Sequence, residues 1–293
     1  MNVMTGTTAP PGPNVGQLRD HFLTPLTAIL NMTEALLRGQ YGELNEQQIE
    51  YLQQIQTQAL QAFGINRQIV DDYAKDGVAS LRDFSSERLA PMSAVISYCD
   101  LLLLEYLVGD LDEKQRSLLH RASNKANDLQ RQIQNLTDYA LITLDALSTG
   151  TGDKIALGDI LKPDFVTVKS SVPIHWELPD QLPSVCGDEE LFDHVMNNLI
   201  DNAAKFTRAG YITVTAQIIG DHVDITVTDT GIGIPLTLQV YVFQPFYQLD
   251  PKVYGLGLGL FIAQDFVNRM GGRLLMHSTP DVGTQFQFSL AIA

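Results

Sequence analysis

The chain has 293 residues, enough for about two domains, and its 45% apolar content is ordinary for a globular protein. A net charge of −15 and a sequence pI of about 4.6 argue against a nucleic-acid partner, because a phosphate backbone needs a basic surface. No apolar run approaches the roughly 20 residues that cross a bilayer; even Leu101-Leu102-Leu103-Leu104 is bounded by Asp100 and Glu105. Cys99 and Cys186 are the only cysteines and lie far apart in sequence, so reduced, buried thiols in a cytoplasmic protein are expected.

Met1 to Asn14 is rich in Thr, Pro and Gly and lacks the basic start and apolar middle of a signal peptide, which predicts a flexible tail over 1–15. Gln17 to Gly39 reads as a helix interrupted by Pro25, with Leu23, Leu26, Ile29, Leu30, Ala35, Leu36 and Leu37 as its apolar stripe. Gly42 marks a turn and Asn45 an N-cap. Glu46 to Ala74 follows as a long helix with Ile49, Leu52, Ile55, Leu60, Phe63, Ile69 and Val70 inward and Gly64 as an unfavourable interior residue. These two helices make a hairpin over 16–75. A second copy spans 76–146: Pro25-Leu26-Thr27-Ala28-Ile29 matches Pro91-Met92-Ser93-Ala94-Val95, Gly42 to Glu46 matches Gly109 to Glu113, and Asp72-Tyr73-Ala74 matches Asp138-Tyr139-Ala140. The offsets of 66, 67 and 66 imply one indel in the first helix or loop and another later. Repeated units of this kind stack to bury a shared apolar face.

Residues 147–153 are small, polar and Gly-rich and predict a linker to a second domain over 154–293. Within it Ile174 to Leu178 reads as a strand, and Tyr211 to Ile219 and Asp221 to Thr228 as an antiparallel pair around Gly220. Asn197 to Thr207 lies on a helix that places Asn198, Asn202 and Lys205 on one face, since residues three and four apart are helical neighbours. Two carboxamide oxygens and an ammonium suit a metal-bound polyphosphate; a polar outer face on an amphipathic helix is the plainer alternative. Asp229-Thr230-Gly231-Ile232-Gly233-Ile234-Pro235 ends a strand in a Gly-rich turn with a carboxylate at its tip. Gly255-Leu256-Gly257-Leu258-Gly259-Leu260 precedes an apolar helix, Phe261 to Met270, where glycines let backbone N–H groups approach phosphate. Gly283-Thr284 precedes a final strand, Gln285 to Ala291.

These four stretches, in this order, resemble the N, G1, G2 and G3 boxes of the ATP-binding domain of sensor histidine kinases, of the GHKL type, with Phe243-Gln244-Pro245-Phe246 similar to the F box. The resemblance implies an α+β protein: an all-α four-helix bundle of two tandem hairpins, then an α/β sandwich. It implies ATP and Mg²⁺ as cofactors. Asn202 would hold Mg²⁺ with Asn198 close by, Lys205 would meet phosphate, and Asp229 would accept from the adenine amino group. Gly231 and Gly233 would let the nucleotide approach, Phe243 would belong to the site, Gly255, Gly257 and Gly259 would line the phosphates, and Thr284 would lie near adenine. The segment Gln248 to Tyr254 corresponds to a lid, about five residues shorter than the family pattern, with Lys252 as its only cation.

Each hairpin resembles the dimerisation and phosphotransfer hairpin of the same family, whose pattern is His, an acid, two residues, Thr or Asn, then Pro. Aligned on Thr24-Pro25, Asp20 holds the acceptor position and His21 the acidic one; in the second copy Ser86 and Glu87 hold them. One residue of shift turns a side chain about 100° around a helix. His21 is the candidate phosphoacceptor, and His120, His175, His194, His222 and His277 read as structural or surface residues. The implied function is transfer of the ATP γ-phosphoryl to a histidine and on to a response regulator, with the chain's own acceptor site degenerate. The alternative is a non-catalytic nucleotide-binding scaffold that presents its helices to another signalling protein. The two hairpins weigh against other GHKL ATPases such as topoisomerase or chaperone subunits. Lys75 to Phe84, ten residues, can span at most about 33–36 Å, against about 8–10 Å between packed helices. The two hairpins can therefore close a bundle within one chain, a monomeric pseudo-dimer favoured over a homodimer.

Overall fold

A computed structural model describes residues 12–81, 89–147, 153–162, 170, 172–250 and 253–293. Ser86, Glu87 and Lys252 lie outside the described residues. The chain forms two compact units, Met1–Asp145 and Ala146–Ala293.

The first unit is helical: α1 (Val15–Leu37), α2 (Glu46–Asp76), α3 (Ala90–Leu103), the single turn α4 (Glu105–Val108) and α5 (Glu113–Thr143). A 3-10 segment, Gly77–Leu81, follows α2. Helix α1 packs on α2, α2 on α3, α3 on α5, and α5 back on α1, so the four long helices close a ring. Inside it Leu18, Phe22, Leu26, Ile29, Leu52, Ile55, Val95, Cys99 and Leu129 are shut off from solvent. Helix α1 is continuous through Pro25, not interrupted there; the ring is buried, and Asn66 Nδ2 donates to the Phe22 carbonyl across from it at 3.5 Å. Leu60 is 60% exposed, contrary to its predicted inward place. Ala59 and Ala62 take the inward positions, and one residue's rotation turns Leu60 out. The thiol of Cys186, unlike that of Cys99, is only partly buried.

The repeat is visible in the burial register. Every buried residue of α3 lies 66 after a buried residue of α1, and all nine buried residues of α2 lie 67 before a buried residue of α5. One extra residue between the helices accounts for the change, and the register of 67 holds to Tyr73 and Ala140. The predicted second indel is therefore not reflected in the packing.

The turn of each hairpin is held by the other. Asn45 and Gln48 form a capping box at the start of α2, Asp112 and Gln115 one at the start of α5. Asn45 Nδ2 also donates to Val108 O at 2.8 Å and Gln48 Nε2 to Asp110 O at 3.1 Å, while Gln115 Nε2 donates to Glu43 O at 3.3 Å. These reciprocal contacts have the form of a two-fold interface, here within one polypeptide. Asn14 caps α1 with a similar box and makes no such cross-contact among the described residues. Asn45→Ala should therefore cost more than Asn14→Ala by about one hydrogen bond, 0.5–1.5 kcal/mol. Urea titrations of the two variants, read in the helical transition, check this; equal losses would show that the crossing contact contributes nothing.

The second unit holds a two-stranded antiparallel sheet, β1 (Lys154–Ala156) with β3 (Ser184–Cys186), and the short α6 (Leu157–Ile160). Its main sheet has order β2-β4-β5-β7-β6, from β2 (Ile174–Glu177), β4 (Ile212–Ile219), β5 (His222–Asp229), β6 (Leu275–Thr279) and β7 (Gly283–Ala291). Only β2 and β4 run parallel. Helices α7 (Glu189–Phe206) and α8 (Gly259–Arg269) pack together, and α7 lies on β4 and β5. The alternation of β4, β5 and β7 sends Ile212, Val214, Val223, Ile225, Phe286 and Phe288 into the core beneath Phe192, Val195, Leu199 and Ile262. Strand β5 therefore ends with Asp229 on the buried face, paired in register with Thr284.

Candidate nucleotide site

Asp188 caps α7 by accepting from the Leu191 N–H, and Glu189 and Glu190 favour its first turn. The helix buries Phe192, Val195, Met196, Leu199, Ile200 and Ala203, which leaves Asn198, Asn202 and Lys205 half-buried together on the adjoining face. Asn202 makes no side-chain hydrogen bond among the described residues. Lys205 is engaged: its ammonium lies 2.5 Å from Asp201 Oδ2, an i,i+4 pair in which both side chains are largely buried. The lysine is thus positioned by a carboxylate that sequence reading missed, although the spacing alone carried the signal.

At the end of β5 Asp229 is buried, 6% exposed as a residue. Gly231 N–H donates to its Oδ1 at 2.8 Å and Thr284 N–H donates to the same oxygen at 3.3 Å. Oδ2 accepts nothing among the described residues. Desolvation by burial raises the Asp229 pKa, opposed by these two backbone bonds. An anionic acceptor with one oxygen fixed and the other uncommitted is suited to receive an N–H donor from a ligand.

The glycines fit this end closely. A Cβ on Gly231 would lie 2.5 Å from Phe206 O and one on Gly233 would lie 2.0 Å from Thr279 O. A Cβ on Gly259 would lie 3.0 Å from Asn198 Oδ1, so the start of α8 and the Asn198 carboxamide are adjacent. Gly255 and Gly257 have positive φ, and Gly257 presses on the Tyr247 backbone and accepts from the Phe246 N–H at 2.9 Å, so part of this stretch serves the fold of the lid segment. Phe243 meets Phe286 edge-on and lines a cavity of about 590 Å³ with Val240, Gln264, Arg273 and Met276. No other predicted nucleotide residue lines that cavity, so Phe243 is set apart from the Asp229 cluster.

No group of three His, Cys, Asp or Glu able to cage a metal occurs among the described residues. The carboxamide oxygens of Asn198 and Asn202 are hard donors, and such a sparse set fits Mg²⁺ held jointly by protein and phosphates.

In the helical unit Asp20 is exposed and lines a groove of about 420 Å³ with Leu23, Thr24, Thr27 and Phe63. His21, one residue on, is half-buried. Desolvation lowers its pKa against the opposing pull of the Asp20 carboxylate, a shift that favours the neutral ring.

Residues 187–293 match the family model described as "Histidine kinase-, DNA gyrase B-, and HSP90-like ATPase". The chain is 28% identical over 221 residues to the sensor histidine kinase RcsC of Salmonella typhi, an overlap covering 72% of this chain and 23% of that protein. It is 29% identical over 227 residues to the signal transduction histidine-protein kinase BarA of Escherichia coli strain K12, covering 72% and 24% respectively. The chain therefore spans about a quarter of the length of these two curated relatives. Among solved structures, full-length ShkA in complex with AMPPNP superposes with a TM-score of 0.52 at 26% identity, over 73% of this chain and 46% of that one. No helix among the described residues is long and apolar enough to cross a membrane.

Proposed function

We propose, from its similarity to sensor histidine kinases, that the chain is a member of that family, binds Mg-ATP at the Asp229 end of its second unit and acts in two-component signalling, with a response regulator or another signalling protein as partner. The observation that carries this reading is the Asp229 carboxylate: buried, fixed through Oδ1, and uncommitted at Oδ2. The 6-amino group of adenine supplies the missing donor. Thr284 is held beside it by register, Asn198 and Asn202 offer oxygens to a nucleotide-borne Mg²⁺, and Lys205 with the backbone of Gly255, Gly257 and Gly259 faces phosphate. Mg²⁺ would neutralise phosphate charge; the chain's own residues supply position, which is most of what phosphoryl transfer needs.

By resemblance the γ-phosphoryl would pass to His21 and then to an aspartate of the partner. A second reading, a nucleotide-dependent scaffold without its own acceptor, is favoured by the placement of His21. The exposed position matching the family's acceptor carries Asp20, and the His21 ring is turned partly into the bundle. The reciprocal caps support a pseudo-dimer, one polypeptide completing the bundle that two chains otherwise form. Incubation with γ-labelled Mg-ATP separates the two readings. Acid-labile label lost in His21→Ala means phosphotransfer; bound nucleotide with no label means the scaffold. Light scattering giving a mass near 32.4 kDa supports the pseudo-dimer, and a particle of twice that mass, stable on dilution, would sink it.

A further inference from the structure

The chain entering the second unit is held at a point that no sequence motif marks. Helix α5 closes at Leu144, whose N–H donates to Ala140 O at 2.9 Å, and Asp145 N–H donates to Ile142 O at 3.1 Å. Asp145 has φ of 50°, the left-handed conformation that often ends a helix and that glycine usually fills. The first unit ends there. Two residues on, Leu147 O accepts from Arg269 Nη1 at 3.1 Å. Arg269 stands in the last turn of α8 with its side chain 14% exposed, and its Nε lies 2.5 Å from Asp265 Oδ2. A guanidinium is a rigid planar fork. One prong is engaged by the carboxylate a turn back in the same helix, and that bond aims another at the Leu147 carbonyl. Exposure changes at the clasp: Thr143, Leu144, Asp145 and Ala146 are exposed, and Leu147 is half-buried.

The chain is fixed again at Asp153, whose carbonyl accepts from the Gly187 N–H at 3.0 Å beside the pairing of β1 with β3. The Gly-rich stretch 148–152 therefore connects two points that are both fastened within the second unit. Ala146 alone separates Asp145 from the clasp, and it makes no hydrogen bond among the described residues. Small, polar, Gly-rich composition marks 147–153 as the linker, but a hinge is made by the residues left unfastened. From Asp145 to Leu147 the chain can span at most about 7 Å, and from Asp145 to Asp153 about 26–29 Å. Arg269 decides which of these lengths joins the units.

We propose that Arg269 is a positioning residue, a clasp that sets the pivot between the two units at Asp145-Ala146, ahead of the Gly-rich stretch. Nothing in the clasp depends on nucleotide, so it stands or falls apart from the reading of Asp229. Trp176 is the only tryptophan and lies in β2 of the second unit. The decay of its fluorescence anisotropy in the full chain reads how freely that unit turns. Inserting Gly-Ser-Gly-Ser after Ala146 lengthens the pivot. It should shorten the slow correlation time by up to about twofold, because the second unit is roughly half the chain and units on a long tether turn separately. The same insertion after Gly150 lies behind the clasp and should leave that time unchanged. Arg269→Ala opens the clasp and should shorten the time as the first insertion does. The two insertions leave the Arg269–Asp265 pair in place, so their comparison decides the matter where Arg269→Ala fails to fold. A shortening by the second insertion as large as by the first makes the Gly-rich stretch the hinge and overturns the proposal. So does an unchanged time after the first insertion, or in a folded Arg269→Ala chain.

Discussion

Asp229→Asn should abolish the stabilisation of the protein by Mg-ADP and, in the same molecule, raise the melting temperature of the nucleotide-free chain. The first effect follows from the donor pattern. An asparagine oriented to keep the bonds from Gly231 and Thr284 at its oxygen presents N–H where Oδ2 stood, and two donors then face each other across the amino group of adenine. A ligand at a hundred times its dissociation constant stabilises by about 2.7 kcal/mol, and that increment should disappear. The second effect follows from linkage. Burial raises the folded-state pKa of Asp229 above its ordinary value of 3.8, so the folded state binds its proton more tightly than the unfolded chain does. The ionised side chain therefore costs stability at neutral pH. That cost shrinks as pH falls through the raised folded pKa and is gone below the ordinary value. The gain from Asp229→Asn should accordingly be full at neutral pH and vanish in acid. Melting curves with and without nucleotide across that range check both halves. A variant still stabilised by Mg-ADP would remove Asp229 from the site.

Gly233→Ala should have the largest effect among the glycine substitutions that leave the termini of β5 and β7 intact. Gly233 has φ of 63°, and a Cβ there would sit 2.0 Å from Thr279 O and 2.6 Å from Thr279 C. The left-handed backbone alone costs a non-glycine residue about 1–2 kcal/mol, and the overlap must then push the loop off β6. Nucleotide affinity should drop by at least about tenfold, since 1.4 kcal/mol of lost positioning is that factor. Gly64→Ala provides the opposite control. Its Cβ would meet nothing within 4 Å inside α2, and replacing an interior helical glycine stabilises by about 0.5–1 kcal/mol. A Gly233→Ala chain that binds ADP normally would show that the close approach to Thr279 is dispensable.

The elements that sequence reading located are those with strong period and local punctuation. The α7 face with Asn198, Asn202 and Lys205, the β4–β5 pair ending at Asp229, and the proline-marked copies α1 and α3 all fall in this class. Strand β6 was missed because it is an edge strand whose side chains are all at least partly exposed, so no apolar alternation marks it. The strands β1 and β3 are three residues each, too short for a period. Leu60 was misplaced because three closely spaced apolar residues, Ala59, Leu60 and Ala62, offer two nearly equivalent stripes, and packing against neighbouring helices chooses the narrower alanines. Asn45 was legible as an N-cap position, but its reach to the opposite hairpin is a property of distance in space, since Asn45 and Val108 are 63 residues apart. The clasp of Arg269 was invisible for the same reason: it meets Leu147 only after the chain has folded.

The mutual hold of the two hairpin turns bears on how such a molecule changes over generations. In an assembly of two identical subunits, any substitution at the two-fold contact is made twice, and both copies must tolerate it. Here the corresponding positions are encoded separately. Asn45 stands opposite Asp112 as a cap, and the buried carboxamide of Asn66 corresponds to the buried aliphatic chain of Ile133. One turn carries the polar Arg38-Gly39-Gln40, while the other carries the single turn α4, with Tyr106 81% and Leu107 53% exposed. Each half can thus drift under its own selection, one preserving the closure of the bundle while the other explores a surface that its twin does not share.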